Sequence, residues 1–204
     1  MENHTFVEFD HEEAKLLGDL AGIKRDLEDA KRFASRLERV LSTPPFDSEF
    51  VDALTTTILV RYARAFTSGV RTTLHQGHRS QLTKRQQGLH ERFIAWRNKH
   101  IAHSVNPFEQ NQVVARFVQE TVHQVGIQYV SVQENRVIGL GSQDLVDLHD
   151  LIDALLSIVG SEYEREQARL LGFVRSLPLK EVLAGPTTLM PRPGVESVKR
   201  SRPR

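Results

Sequence analysis

Apolar residues recur at steps of three and four residues along the first part of the chain, at Leu16, Leu20, Ile23, Leu27, Ala30, Phe33, Ala34, Leu37 and Leu41. That period lines them up on one stripe, so the spacing predicts an amphipathic helix over 11–41. Pro44 and Pro45 stop it, and Asp47 is placed to cap the next helix, predicted over 48–74. Gly77, followed by polar His78, Arg79, Ser80 and Gln81, reads as a connection, with Thr83 the cap of a third helix reaching about His103. Asn106 and Pro107 end that helix. The pattern then changes. QVVARFVQE (112–120) and VGIQYVSVQ (125–133) are rich in β-branched and aromatic residues with partial alternation, which predicts two short strands, and RVIGL (136–140) predicts a third. Helical period returns over 142–174, with Ser142 as cap and Leu145, Leu148, Leu151, Ile152, Leu155, Leu156 and Val159 on the inner side. Gly160 is a point where that helix is expected to break or bend, and Pro178 opens a last short helix through Leu183.

These elements describe a mainly α protein: an antiparallel helical bundle with a small β insertion, at about 111–140, between the third and fourth long helices. A chain of 204 residues, 39% hydrophobic, has room for one domain with a real core and too little for two full-sized domains. The expected organisation is a single domain over 1–184 and a tail over 185–204. The tail has four prolines and five basic residues against one acid, and is expected to be disordered. It either adds nonspecific affinity for nucleic acid or is an inert terminus. The chain has no internal repeat.

Cysteine is absent, which removes disulfides, thiolate nucleophiles and cysteine-bound metal clusters from consideration. The opening MENHTFVEFDHEEAK is acidic and lacks an apolar leader core, and no stretch approaches the roughly 18 apolar residues a membrane span needs. A cytoplasmic location without a membrane partner is therefore expected. The formal net charge of +1 conceals an asymmetry. Over 61–103 stand Arg61, Arg64, Arg71, Arg79, Lys84, Arg85, Arg92, Arg97 and Lys99 against the single acid Glu91. Such a basic block is the footprint of a phosphate-binding surface, or else a set of solvated helix faces paired with acidic helices elsewhere.

Within the block, RNKHIAHS (97–104) carries the residues with chemistry to offer. Arginine stays charged and forks onto phosphate, while histidine exchanges protons near neutrality, so Arg97, His100 and His103 have what phosphodiester chemistry needs without a metal. At about 100° per residue, Leu89, Phe93, Trp96, His100 and His103 share an arc of roughly 80°, but Arg97 lies about 120° from His103. Either the helix unwinds near His103 or a second copy completes the site. Arg61, Arg64, Ser68, Arg71 and His75 share an arc of about 80° on the second predicted helix, a basic stripe that borders the Arg97 cleft if helices two and three pair.

The spacing Arg-x5-His from Arg97 to His103, with Asn98 directly after the arginine, resembles the Arg-x4-6-His signature of HEPN-domain proteins. The surrounding LHERFIAWRNKHIAHSVNPFE (89–109) and the upstream RYARAFTSGVR (61–71) resemble the abortive-infection type, and the resemblance covers about 47–177. It implies a metal-independent endoribonuclease acting in phage defence or as a toxin, with two copies pooling their motifs in one cleft. Its partners would be RNA, a second copy of the chain and an antitoxin or other defence protein. On that reading Arg97, Asn98 and His103 are catalytic. Arg97 stabilises charge on the phosphoryl oxygens, Asn98 orients phosphate or the histidine, and His103 takes the proton of a ribose 2′-hydroxyl. His100 is a second proton carrier, and Arg61, Tyr62, Arg64, Arg71 and Lys99 contact phosphate or RNA. Others in the superfamily are catalytically silent, which leaves an RNA-, nucleotide- or partner-binding module, or a plain dimeric scaffold, as alternatives. On the structural side, Arg97 would form a salt bridge to the acidic last helix, and His103 would bond to carbonyls at a helix end.

His75-x-x-His78 and His100-x-x-His103 also have a spacing that can hold a metal, but neither has an acidic ligand nearby and both lie in an electropositive stretch. Neither a metal nor a cofactor is expected. Gly139-Leu140-Gly141 lacks the later glycine and the lysine of a phosphate loop.

Overall fold

Asp47 and Thr83, two of the three caps expected from the sequence, both open helices. Asp47 Oδ1 accepts from the backbone N–H of Glu49 (2.9 Å) and Phe50 (3.2 Å) and starts α2 (Ser48–Arg64). Thr83 Oγ1 accepts from Gln86 N while Gln86 Oε1 accepts from Thr83 N, a reciprocal capping box that starts α4 (Lys84–Trp96). The computed structural model describes residues 7–67, 69, 71–101, 109–121, 124–136 and 139–185. Within them a 3₁₀ turn (Glu12–Ala14) leads into α1 (Lys15–Leu41), and α3 (Gln76–Arg79) is a single turn between α2 and α4. A π-helical segment, Arg97–Ile101, continues α4. Two long strands, β1 (Glu109–Thr121) and β2 (Gln124–Arg136), precede α5 (Ser142–Ser176) and α6 (Leu179–Val182).

The core is a seam among α1, α2 and α5, with α4 closing one side. Leu20, Ile23, Leu27, Ala30, Ala34 and Leu37 of α1 are buried against Val51, Leu54, Ile58 and Leu59 of α2 and Leu145, Leu148, Leu151, Ile152, Leu155 and Val159 of α5. Phe93 and Trp96 join them from α4. Gly139, just before α5, lies where any side chain would meet Thr55 Oγ1 and Val51 Cγ1 at under 3 Å, and Leu140 N donates to that same threonine oxygen. The protein is thus mainly helical with a small two-stranded antiparallel sheet. Among the described residues no helix is long and apolar enough to cross a membrane.

Several boundaries differ from expectation. Helix two stops at Arg64, not Leu74: Thr67 Oγ1 donates back to Ala63 O, Leu74 N reaches Ala65 O, and the intervening threonines and Gly69 are poor helix formers. The connection expected around Gly77 contains α3, capped by His75 Nδ1 on Gly77 N. α5 is capped at Gly141 rather than Ser142, through Asp144 Oδ2 accepting from Gly141 N, and it runs unbroken through Gly160, whose cost of about 1 kcal/mol in a helix is offset by the burial of Leu155, Val159 and Leu170 on either side. Leu16 is exposed although α5 runs past it, Arg169 bonding to Glu13, and Phe33, Leu41 and Leu156 are only partly buried. Of the third strand expected at 136–140, Arg136 is the last residue of β2, Gly139 and Leu140 belong to no strand, and 137–138 lie outside the described residues. So do His103, Asn106, Pro107 and the tail over 186–204.

Candidate nucleic-acid interface

The basic block separates into cations that the fold neutralises and cations that it does not. Arg61 Nη1 and Arg71 Nη2 hold the two oxygens of Asp26 at 3.0 and 2.7 Å, and Arg64 Nε lies 3.3 Å from Oδ2. Asp26 is buried on α1, so three guanidiniums surround one desolvated carboxylate. Gly22 makes this possible, since a Cβ there would stand 2.9 Å from Arg71 Nη1. On α4, Arg85 pairs with Asp147 and Asp150, and Arg92 with Asp144, all on α5. The stripe of Arg61, Arg64 and Arg71 therefore faces α1 rather than the Arg97 cleft. These three line a separate opening of about 500 Å³, and only Thr67 borders both openings.

Arg79, Lys84, Arg97 and Lys99 remain, and of these the cleft is built on Arg79 and Arg97. Among the described residues neither has a carboxylate within ion-pair distance, and both line one cleft of about 370 Å³ with Phe66, His90 and Asn98. Arg97 Nη1 donates to Asn98 Oδ1 at 2.9 Å, which occupies the amide acceptor and leaves its N–H groups as donors. Arg79 Nε is buried without a hydrogen-bond partner. The polar groups on this wall are therefore donors with positive charge behind them and no anion inside, which is the inverse of a bound phosphate. The π-helical segment begins at Arg97, and single wide turns of this kind are frequent at functional sites.

His90 forms the back of the cleft. Its Nδ1 is hydrogen-bonded to the Tyr62 hydroxyl at 2.8 Å, and its ring lies 4.3 Å from that of Phe66. Burial, and after it the charge of Arg79, pushes its pKa down from 6.5 to about 4, so the ring is neutral at neutral pH. Burial pushes the Tyr62 phenol up, and it stays protonated. The unfolded imidazole takes its proton near 6.5 and the folded one only near 4, so stability is expected to fall as pH drops through that window and to level off below it. Replacing His90 with glutamine should flatten the slope of melting temperature against pH; equal slopes in both proteins would rule this out.

Tyr62, expected to touch phosphate, is fully buried behind the cleft, its hydroxyl on His90 and its ring against Phe66. Lys99 and Asn98 are exposed beside Arg97. His100 lies in the π-helical segment, and His103 lies outside the described residues. Arg97 does not make the salt bridge to the last helix, which Arg85 and Arg92 make in its place. His75 and His78 serve as caps: His78 Nδ1 accepts from His75 N, and His78 Nε2 is bonded to Glu162 at 2.8 Å. Sequence reasoning missed His90 and Arg79. For His90 a signal existed, because His90 and Arg97 lie about 20° apart on a helix. For Arg79 none did, since α3 brings it in from another element.

The chain matches no protein-family model, no curated protein and no solved structure.

Proposed function

We propose that the cleft binds the phosphates of RNA and that the chain is a HEPN-like, metal-independent endoribonuclease. The observation that carries this reading is the meeting of Arg79 and Arg97 in one opening with no carboxylate among its described lining residues. In the proposed reaction the two guanidiniums and the Asn98 amide hold the nonbridging oxygens of a phosphodiester. His103 takes the proton of the 2′-hydroxyl as that oxygen bonds to phosphorus. The bond to the 5′-oxygen breaks, and His100 or its counterpart in a second copy protonates the leaving group. The products are a 2′,3′-cyclic phosphate and a 5′-hydroxyl. His90 is not the proton donor, because its pKa near 4 leaves it unprotonated where such an enzyme works. A cation is unwelcome between two arginines, so the arrangement suits chemistry without a metal. The setting is phage defence or toxin action, with an antitoxin or other defence protein as regulator.

The test is incubation of the chain with mixed cellular RNA in excess chelator beside His103→Ala, reading fragment end groups. Cyclic-phosphate ends from the unmutated chain alone are expected. Tight RNA binding without cleavage would replace this reading with a silent RNA-binding module, and absence of binding would end both.

A further inference from the structure

The hairpin formed by β1 and β2 presents its apolar face to water. In an antiparallel ladder, residues directly opposite one another project to the same side. The register pairs Val113 with Val132, Ala115 with Val130 and, across a bulge, Phe117 with Ile127. These six side chains make one continuous apolar surface. The opposite face carries Gln112, Arg116, Tyr129 and Gln133, with Arg116 held over the Tyr129 ring. Ordinary patterning turns the apolar face inward. Here Val113 is 74%, Phe117 61%, Ile127 66%, Val130 63% and Val132 56% exposed, whereas Val114 and Val118 of the polar face are the half-buried ones.

That arrangement is unstable in isolation. A two-stranded hairpin is marginal in water by itself, and each large apolar side chain left in water forgoes about 1.5–3 kcal/mol. Strands of 13 residues, rising about 3.3 Å per residue, are also long for a hairpin that pairs with no third strand among the described residues. Something covers this face in the working protein.

We infer that it is a second copy of the same chain, packed hairpin on hairpin about a two-fold axis. Two properties of the face select this occupant. It carries no charge between Val113 and Val132, so two identical faces meet without burying like charges, and Asn111 and Glu134 supply a polar rim at one end. It is also uneven. Ala115 leaves a hollow between Val113 and Phe117, and a two-fold axis midway between Ala115 and Phe117 sets Phe117 of each copy against the hollow of the other. The result is a four-stranded sandwich whose faces pack about 10 Å apart.

Sedimentation of the full chain tests this without RNA, so its outcome is separate from that of the cleavage assay. A dimer is expected, with Phe117→Glu and Val130→Glu raising its dissociation constant at least 100-fold and Gln112→Glu, on the other face, leaving it unchanged. Circular dichroism confirms that each variant folds. Because the chain contains no cysteine, Ala115→Cys provides a second reading that does not depend on destabilising the hairpin. A bismaleimide with a span of about 10 Å, matching the spacing of packed sheets, should link it into a covalent dimer, and Gln112→Cys, on the outer faces, should not be linked. A monomeric unmutated chain, or a dimer that survives Phe117→Glu and fails to cross-link through Ala115→Cys, overturns the inference.

Discussion

Replacing Arg97 with alanine is expected to lower RNA cleavage by about 100-fold or more while leaving the fold intact, the loss typical when one charged donor to a developing phosphoryl charge is removed. The separation of activity from stability follows from what the side chain touches. Arg97 donates to its neighbour Asn98 and anchors no carboxylate on another helix, so its removal breaks no long-range contact among the described residues. Its melting temperature should therefore stay within a degree or two of the unmutated chain. Arg79→Ala should weaken RNA binding in the same direction, since its buried Nε faces the same anion. The decisive measurement is single-turnover cleavage in chelator beside a thermal melt. An Arg97→Ala variant that cuts RNA at the original rate would remove the arginine from the chemistry. One that loses activity only by unfolding would make it a structural residue.

The opposite pattern is expected at Asp26. Asp26→Ala should destabilise the fold by about 3 kcal/mol, because removing one member of a buried ionic cluster strands the others. Here the stranded group is chiefly Arg71, whose side chain is only 19% exposed, while Arg61 and Arg64 reach water and recover part of their solvation. For a domain of this size that loss corresponds to a fall in melting temperature of roughly 6–12 °C. Arg64→Ala, removing the most exposed of the three partners, should cost less than about 1 kcal/mol. Chemical denaturation of both variants checks the pair. An Asp26→Ala protein as stable as the unmutated chain would mean that the three arginines are not held by this carboxylate in solution. RNA cleavage by correctly folded Asp26→Ala protein at low temperature should be nearly unchanged, since the cluster faces away from the Arg97 cleft.

Much of the fold was legible because its determinants are local. The three- and four-residue spacing of α1 and α5 names most of the residues that these helices place in the core, while Leu16 is exposed and Phe33, Leu41 and Leu156 are only partly buried. Asp47 and Thr83 act within three residues of themselves, so their caps could be read directly. The end of α2 was not legible in the same way. Arg71 leaves the helical path to meet Asp26, 45 residues earlier in the chain, and nothing near Arg71 announces that partner.

The candidate site divides along the same line. The types of residue at Arg97 and Asn98, and their place at the end of a helix, were visible in the sequence. Which arginines retain their charge for a ligand was not, because that depends on where the carboxylates of α1 and α5 arrive. Asp26, Asp144, Asp147 and Asp150 engage five arginines of the basic block, and α3 delivers Arg79 to Arg97 from a turn that has no periodicity to read. His90 was within reach of a helical wheel, but its depressed pKa arises from burial and from Arg79 across space. The exposed apolar face of the hairpin shows the limit most plainly. Alternation along β1 and β2 marks an apolar side, and only the packed structure shows that this side is turned to water. By itself the sequence determined the long helices, the caps at Asp47 and Thr83, the two strands and the stock of donors, because each depends on residues a turn or a strand pair apart. The tertiary structure alone decided which charges cancel, which cleft stays positive and which face lacks cover, because those are sums over groups that meet only after folding.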